Sequence, residues 1–128
     1  MKKIPTEGIG AYIAEITPAI DRVIKKTEET YTAHEIIEAL VLGKMTLWQD
    51  PRGYVVTEVC GDVYNIGICV GVDIDGWIDE IIAVTKADAK KQNCRYIQEI
   101  GRRGWVKKMA RFGFKEKGTI MRCELWAV

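Results

Sequence analysis

The sequence has few residues of the kinds that build metal or disulfide sites. Its 128 residues include one histidine, three prolines and four cysteines, and the cysteines stand singly, with no C-x-x-C pair. Zinc sites that are formed locally need closely spaced cysteine and histidine, so we expect no metal cofactor. Cysteines within apolar runs, such as Cys60 and Cys69, behave as small hydrophobic residues when reduced, which fits a reducing cytoplasm.

Long hydrophobic runs are also absent. The longest apolar stretch, residues 63–72, contains Asn65 and two glycines. It has about half the length that a membrane-spanning helix requires. The N-terminal residues MKKIPTEGIG lack the apolar core of a secretory signal. We therefore expect no membrane segment and no export.

An excess of either charge is missing as well. The net charge is +1, with 29% charged and 48% hydrophobic residues. This composition is typical of a folded globular protein and does not favour a general attraction to polyanions such as nucleic acids. The length suits one domain with a single core.

The first predicted element is a helix that follows a poorly defined N-terminal segment, residues 1–16. Thr17 and Pro18 have the order of an N-cap and a first helical residue, because proline is tolerated at that position. Apolar residues then recur at helical spacing. We predict a helix over residues 17–29.

A second helix is indicated by a capping box. Thr32 and Glu35 have the spacing at which each side chain satisfies a backbone N–H of the other residue. The helix is predicted to end near Leu42, before Gly43. His34 falls in its exposed first turn, where a lone histidine is a surface residue rather than a catalytic one.

Three strands are predicted next, over MTLWQ (45–49), YVVTEVC (54–60) and VYNIGICV (63–70). Gly61 and Asp62 separate the last two. Glycine takes the positive φ angle that the first position of a type II′ hairpin requires. We therefore expect three antiparallel strands.

A third helix opens at Asp75-Gly76 and ends near Gln92. Its apolar side chains recur on one face, which we expect to be buried. They are Trp77, Ile78, Ile81, Ile82, Thr85 and Ala89.

The remainder of the chain reads as strand, helix and strand. RYIQEI (95–100) is a predicted strand, broken by the GRRG that follows. In the fourth helix the apolar and basic residues separate onto two faces, and Gly113 ends it. The apolar face comprises Trp105, Val106, Met109 and Phe112. TIMRCELWAV (119–128) is predicted as a last strand.

Helices in this order cover a central sheet on both faces. The order, together with EIIAVTKADAKKQNCRYIQEIGRRGWVKKMARFGFKE, resembles the GNAT superfamily of N-acetyltransferases, whose last helix typically ends in LGF or YGF. The segment GRRGW…GF is similar to that of small GNAT-like proteins encoded by tailed phages and prophages. The resemblance covers residues 17–127 and implies a single α/β domain with a mixed, mostly antiparallel sheet. The family's first strand has no match in MKKIPTEGIGAYI.

The resemblance also implies that acetyl-CoA binds between the fourth and fifth family strands, here residues 63–72 and 95–100. The implied cofactor residues are Val70, Val72, Gly76, Trp77 and Ile78. The family's phosphate-binding pattern, Q/R-x-x-G-x-G/A, is absent, and acids occupy the helix start instead. These are Asp73, Asp75, Asp79 and Glu80, of which Asp75 is the predicted N-cap. Each acid would repel a phosphate charge by about 2 to 4 kcal/mol before screening. The same acids would equally cap a helix start that binds nothing.

The catalytic residues are less defined. Many members of the superfamily place a tyrosine near the end of the last helix, where this chain has Met109, Ala110, Arg111 and Phe112. The candidate bases are Glu58 and Glu99, and the candidate hydroxyl groups are Tyr64 and Tyr96. Strand alternation alone also explains these four residues, as solvent-facing acids and tyrosines at the edge of the core.

A basic surface is predicted on the fourth helix. It comprises Arg102, Arg103, Lys107, Lys108 and Arg111. It could contact nucleic acid, but the aromatic residues lie on the opposite, buried face, so a solvated helix face explains it better. Basic residues 102–117 and acidic residues 73–80 could also let copies, or phage and host proteins, dock head to tail. The function expected from the resemblance is acetyl-CoA-dependent N-acetylation in the host cytoplasm. The alternative is a non-catalytic, virion-associated assembly protein that uses the same fold.

Overall fold

The computed structural model describes residues 1–27, 31–100, 103–118 and 121–126. Its five-stranded sheet keeps the order of the chain, with β1 to β4 antiparallel and β5 parallel to β4. The strands are β1 (Lys2–Ile4), β2 (Met45–Asp50), β3 (Gly53–Cys60), β4 (Val63–Gly71) and β5 (Tyr96–Glu99). The helices are α1 (Ile13–Thr27), α2 (Ala33–Val41), α3 (Ile74–Lys91) and α4 (Arg103–Ala110), and a 3-10 helix spans Thr6–Ala11. The predicted α/β class with a mixed, mostly antiparallel sheet is confirmed.

The N-terminal segment does contain a strand, contrary to the prediction. β1 pairs with β2, with Ile4 opposite Leu47. Ile4 is buried, while the Lys3 ammonium donates to Asp88 at 2.9 Å. Three residues are too short to display an alternating pattern, so only these tertiary contacts define the strand.

The first helix begins one turn earlier than predicted. The Tyr12 carbonyl accepts hydrogen bonds from the amides of Glu15 and Ile16, at 3.0 and 2.9 Å. Thr17 is thus a helical residue rather than an N-cap, and its hydroxyl donates to the Ile13 carbonyl at 2.6 Å. Pro18 lies inside the helix, where it lacks the N–H for one helical hydrogen bond. The predicted end, at residues 28 and 29, lies outside the described residues.

Other local predictions are confirmed. Thr32 and Glu35 form the capping box, each side chain accepting from the other's amide at 3.2 Å. Gly61 has φ of 62° in the β3–β4 hairpin, while Asp62 does not have a positive φ. All six residues predicted on the buried face of α3, including the polar Thr85, are buried. His34 is exposed, as expected.

The sheet separates two hydrophobic cores. Core one packs α1, α2 and the 3-10 helix against one face. Its sheet residues are Ile4, Leu47, Tyr54, Val56 and Ile68. Core two packs α3 and α4 against the other face. Its buried members include Trp48, Val55, Ile66, Trp77 and Met109.

A bulge in β4 changes which residues face each core. Val56 pairs with Ile68, but the next residue of β3, Thr57, pairs with Ile66, so Gly67 is an extra residue. Without a bulge, Ile66 and Ile68 would lie on the same face. Here Ile66 enters core two and Ile68 enters core one. The bulge therefore lets one strand supply both cores.

A buried polar chain connects β1, the sheet and α3. Trp48 Nε1 donates to Thr57 Oγ1 at 3.0 Å, and the Tyr64 hydroxyl donates to Asp88 Oδ2 at 2.7 Å. Lys3 Nζ donates to the other oxygen of Asp88. Burial alone would raise the pKa of Asp88, but the hydrogen bonds from Lys3 and Tyr64 outweigh it and lower that pKa.

The predicted last strand is wrong for residues 121–126, which contain no strand. Met121, Leu125 and Trp126 are 91%, 81% and 90% exposed. An alternating sequence becomes a strand only when another strand pairs with it, and none of the described strands does so here. Residues 119, 120, 127 and 128 lie outside the described residues.

We predict that deleting Gly67 destabilises the fold by roughly 3 kcal/mol or more, measured by urea denaturation. Deletion restores uninterrupted alternation, so either Ile66 or Ile68 must leave its core. Gly67→Ala is the matched control. A Cβ at this position would lie 3.4 Å from the Val56 carbonyl oxygen, so alanine keeps the bulge with little strain. Equal stability of the deletion variant and wild type would show that the bulge does not set the register.

Two buried tyrosines predict a loss of stability at alkaline pH. Burial and hydrogen bonding to Glu15 raise the pKa of Tyr54 to about 12, and burial raises that of Tyr64 further. Because the folded state holds these protons more tightly, stability is full below about pH 10, the ordinary tyrosine pKa, and falls as pH rises above it. Urea denaturation between pH 8 and 11 should show this fall. Tyr64→Phe should make it shallower, and an unchanged slope would contradict the assignment.

Candidate functional site

The pairing of β4 with β5 ends beside the bulge. Their pairing runs from Val63 opposite Tyr96 to Ile66 opposite Glu99 and stops there. β4 continues to Gly71, and no described strand pairs with this edge beyond Ile66. We refer to the edge of residues 67–71, together with the end of β5, as the opening; it lies at the position that the resemblance predicted for the cofactor. Backbone N–H and C=O groups on such an edge are available to a ligand.

Glu99 and Cys69 stand on opposite sides of this opening. Both belong to the α3 and α4 face, because Glu99 pairs with Ile66 and Cys69 pairs with Val55, two core-two residues. Burial raises the pKa of the Glu99 carboxyl group. Burial, and next the Glu99 charge, raise the pKa of Cys69 to about 12. Cys69 is therefore a thiol at neutral pH and a poor nucleophile, whereas the Glu99 carboxyl group binds a proton more tightly than an ordinary glutamate does.

Glu58, the other candidate base, lies on the opposite face of the sheet. It shares that face with Val56 of core one, two residues away on β3. It lines two adjoining cavities of about 350 and 380 Å³ below α2, together with Lys44 and Val59. Its carboxylate accepts from the Cys60 thiol at 2.7 Å. Cys60 is exposed, which corrects its predicted role as a buried hydrophobic residue. The two candidate bases therefore cannot serve one reaction centre.

The two candidate tyrosines lie apart from the opening. Tyr64 is fully buried, and its hydroxyl is engaged by Asp88. Tyr96, at the start of β5, is 53% exposed, and the Arg95 guanidinium lies 5.2 Å from its ring centroid. Neither pairs with the part of β4 that follows the bulge.

Two backbone amides at the junction of β4 and α3 donate hydrogen bonds to carbonyl groups of the protein itself. The Val72 amide donates to the Arg52 carbonyl at 2.9 Å. This close approach requires Gly71, since a Cβ there would lie 2.1 Å from the same oxygen. The Gly76 amide donates to the Asp73 carbonyl at 3.2 Å. Two amides of the predicted phosphate cradle are thus already engaged.

The N-cap of α3 is Asp73, not Asp75 as predicted. Asp73 has the left-handed conformation, with φ of 53°, and its side chain makes no capping hydrogen bond. The prediction failed because Ile74 adopts helical geometry, which starts the helix one residue before Asp75. Asp75 instead forms an ion pair with Lys108 of α4, at 2.6 Å.

The predicted cofactor side chains divide between the interior and the surface. Trp77 and Ile78 belong to core two, and Val70 packs against core one. Val72 is 69% exposed at the end of β4. Trp77 is fully buried under the Arg52 guanidinium, which lies 5.4 Å from its ring centroid. Its indole N–H finds no acceptor among the described residues.

Arg52 connects the β2–β3 turn to α3 through ion pairs. Its guanidinium pairs with Asp50 at 2.8 Å and with Glu80 at 2.5 Å. The Arg52 hydrogen bonds hold the pKa of Asp50 far below its usual range. The Met1 amino group also pairs with Asp50 and Glu80, at 3.5 and 3.4 Å. Glu80 is therefore a structural residue and contributes less free negative charge than the sequence indicated.

The acidic and basic surfaces meet within one molecule. Lys108 pairs with Asp75, and the Arg111 guanidinium lies 3.5 Å from Asp79. Charges that were expected to dock separate copies are thus partnered inside the chain at these four residues. Lys107 is exposed on the same helix. Arg102 and the side chain of Arg103 lie outside the described residues.

The apolar face of α4 is only partly buried. Met109 is buried in core two, and Trp105 and Phe112 pack against it. Val106, predicted on the same face, is 42% exposed. Lys86 of α3 donates to the Phe112 carbonyl, which holds the end of α4 against α3.

Two classes of site are not found in the described part of the chain. It contains no group of three or more histidine, cysteine, aspartate or glutamate side chains that could hold a metal ion. None of its helices is both long enough and apolar enough to cross a membrane. The expectation of no metal cofactor stays a prediction.

No protein-family model and no curated protein matches the sequence. Solved structures do match it over nearly its whole length. A protein described as a candidate acetyltransferase, YycN of Bacillus subtilis, has a TM-score of 0.60 at 16% identity, with 98% of each chain covered. The chain has a GNAT-like fold. A single-residue mutant of the BH1408 protein of Bacillus halodurans has a TM-score of 0.62 at 15% identity, with 97% of this chain and 98% of that chain covered.

Three residues of this candidate site were not predicted. Gly67, Cys69 and Arg52 define the bulge, one wall of the opening and the anchor of the α3 loop. A glycine inside an apolar strand was the one sequence signal, since it often marks a bulge. The pairing of Arg52 with Glu80 spans 28 residues and has no local signature.

We predict that Glu99→Gln stabilises the protein at pH 7. Burial raises the pKa of Glu99, so the folded state binds its proton more tightly than the unfolded state. Stability therefore falls as pH rises from the ordinary glutamate pKa through the raised pKa, and glutamine avoids this loss. Urea denaturation should show a more stable variant at pH 7 and little difference at pH 4. Glu116→Gln, at an exposed site, is the control and should change stability by less than about 0.5 kcal/mol. A Glu99→Gln variant that is less stable at pH 7 would contradict this reading.

Proposed function

We propose that the chain binds an acyl-CoA thioester between β4 and β5 and transfers the acyl group to an amine. The observation that supports this most strongly is the end of β4–β5 pairing at the Ile66–Glu99 pair, beside the Gly67 bulge, while β4 continues to Gly71. The GNAT-like fold supports the same placement. The acceptor amine is not specified by these features.

The open edge of β4 suits the pantetheine arm. That arm carries amide groups, and an extended ligand adds to a sheet edge through backbone hydrogen bonds. Residues 67–71 provide such an edge for about five residues, or roughly 15 Å. The thioester would then lie near Ile66 and Glu99, where the two strands meet.

Glu99 supplies the base in this scheme. An amine arrives at neutral pH as an ammonium ion, and Glu99 removes its proton. The free amine attacks the thioester carbonyl, the bond from carbon to sulfur breaks, and the nitrogen releases its second proton to solvent as the amide forms. The CoA sulfur leaves as a thiolate, which is stable because thiols have a pKa of about 8.5. A tyrosine acid on α4 is therefore not essential, because the CoA thiolate takes up a proton from solvent.

The direct test is calorimetric titration with acetyl-CoA, followed by acetyl transfer to a panel of primary amines. We expect binding that Glu99→Gln leaves within about twofold, because glutamine keeps the shape of the side chain. Transfer should fall at least about a hundredfold in that variant, as expected for loss of a general base. Glu58→Gln is the matched control and should retain activity, since Glu58 lies on the other face. Millimolar acetyl-CoA that gives neither heat nor a shift in melting temperature would eliminate the proposal.

A second candidate is a non-catalytic protein that uses the fold to assemble with phage or host proteins, or with its own copies. It is favoured by the engaged amides of Val72 and Gly76 and by the exposed Met121, Leu125 and Trp126, since exposed apolar residues often mark interaction surfaces. This role requires neither acetyl-CoA nor Glu99. Absent cofactor binding together with association in light scattering would favour it.

A further inference from the structure

We infer that Lys108 of α4 and Arg111, which directly follows α4, are the phosphate-binding groups of the proposed acyl-CoA site, and that Asp75 and Asp79 hold them in a competing, self-inhibiting contact. The inference rests on the proposed binding of acyl-CoA and adds how its phosphates are held and opposed. It follows from the two ion pairs that join α4 to the first turns of α3, at 2.6 and 3.5 Å.

The backbone of the loop is poorly suited to bind phosphate. The Val72 amide is committed to Arg52 and the Gly76 amide to Asp73. The Asp73 carboxylate folds over the same turn, since one of its oxygens would lie 2.5 Å from a Cβ placed on Gly76. A phosphate at this helix start therefore needs cations from another element.

α4 supplies such cations at the correct place. β4 leads from the opening into α3, so Asp75 and Asp79 mark the end of the cleft that the phosphates would reach. Lys108 and Arg111 already contact these two acids. Their positions are fixed from below by Met109, which is buried in core two. The long side chains can then turn from carboxylate to phosphate without movement of the helix.

The exchange of partners costs little. All four side chains are more than half exposed, and exposed ion pairs contribute only weakly to stability. A pyrophosphate group carries more negative charge than one carboxylate, and arginine binds phosphate through paired, charge-assisted hydrogen bonds. The phosphates should therefore replace the two carboxylates as partners of Lys108 and Arg111. Because the carboxylates compete, the affinity of the protein for coenzyme A should be lower than it would be without them.

The test is calorimetric titration of coenzyme A into wild type and charge variants. The double variant Asp75→Asn/Asp79→Asn should bind about five- to tenfold more tightly, because both competing pairs are removed. The double variant Lys108→Gln/Arg111→Gln should bind at least about tenfold more weakly. Affinity should also depend more steeply on salt in the aspartate variant than in wild type, where salt screens the competing pairs too.

Two single variants serve as controls. Lys107→Gln removes a neighbouring exposed charge from the same helix, and Asp62→Asn removes an acid beyond the other end of β4. Both should change the affinity by less than about twofold if only local contacts matter. Wild-type binding that the aspartate variant does not tighten, or that Lys107→Gln weakens as much as the double variant does, would overturn this inference alone. Binding to none of the proteins would overturn the proposed function together with it.

Discussion

β4 has one residue, Gly67, for which β3 has no partner, and the pairing of the sheet and the packing of both cores depend on the bulge that it forms. The bulge reverses side-chain alternation, so Ile66 packs under α3 while Ile68 packs under α1 and α2. It also marks the point beyond which β5 no longer follows β4. One local constraint thus lets β4 supply both cores, and beyond Ile66 no described strand pairs with the outer edge of β4. The edge opens beside a carboxylate, Glu99, whose pKa burial raises.

Charge pairing determines what this opening can accept. When the helix is considered alone, the acids at the start of α3 would repel phosphate and offset the attraction of the helix N-terminus. In the folded chain Glu80 is paired with Arg52, while Asp75 and Asp79 face Lys108 and Arg111. The acidic surface is therefore largely neutralised, and the neutralising cations of α4 are exposed. The proposed cofactor site thus depends on side-chain charges from α4 more than on backbone amides of the loop.

Elements with local signals could be predicted from the sequence, and elements defined by distant partners could not. The capping box of Thr32 and Glu35 and the apolar face of α3 depend on spacing within one helix. β1 depends on β2 and on Lys3 reaching Asp88, which are remote in sequence. The start of α1 was predicted wrongly because Pro18 was interpreted as a first helical residue, whereas it lies inside a helix that begins at Ile13. The predicted place of the cofactor stays a prediction, and the ion pairs of Asp75 and Asp79 with Lys108 and Arg111 could be found only in the folded chain.

Amide chemical shifts of the ¹⁵N-labelled protein, recorded while coenzyme A is added, test the central claim most directly. Binding along the edge of β4 beyond Ile66 predicts the largest shifts in residues 67–71 and at Glu99, with smaller ones in α4. The Glu58 face, on the far side of the sheet, should change little. Shifts centred on Glu58 and Lys44, beside the cavities below α2, would contradict the account, and so would a spectrum that does not change at millimolar ligand.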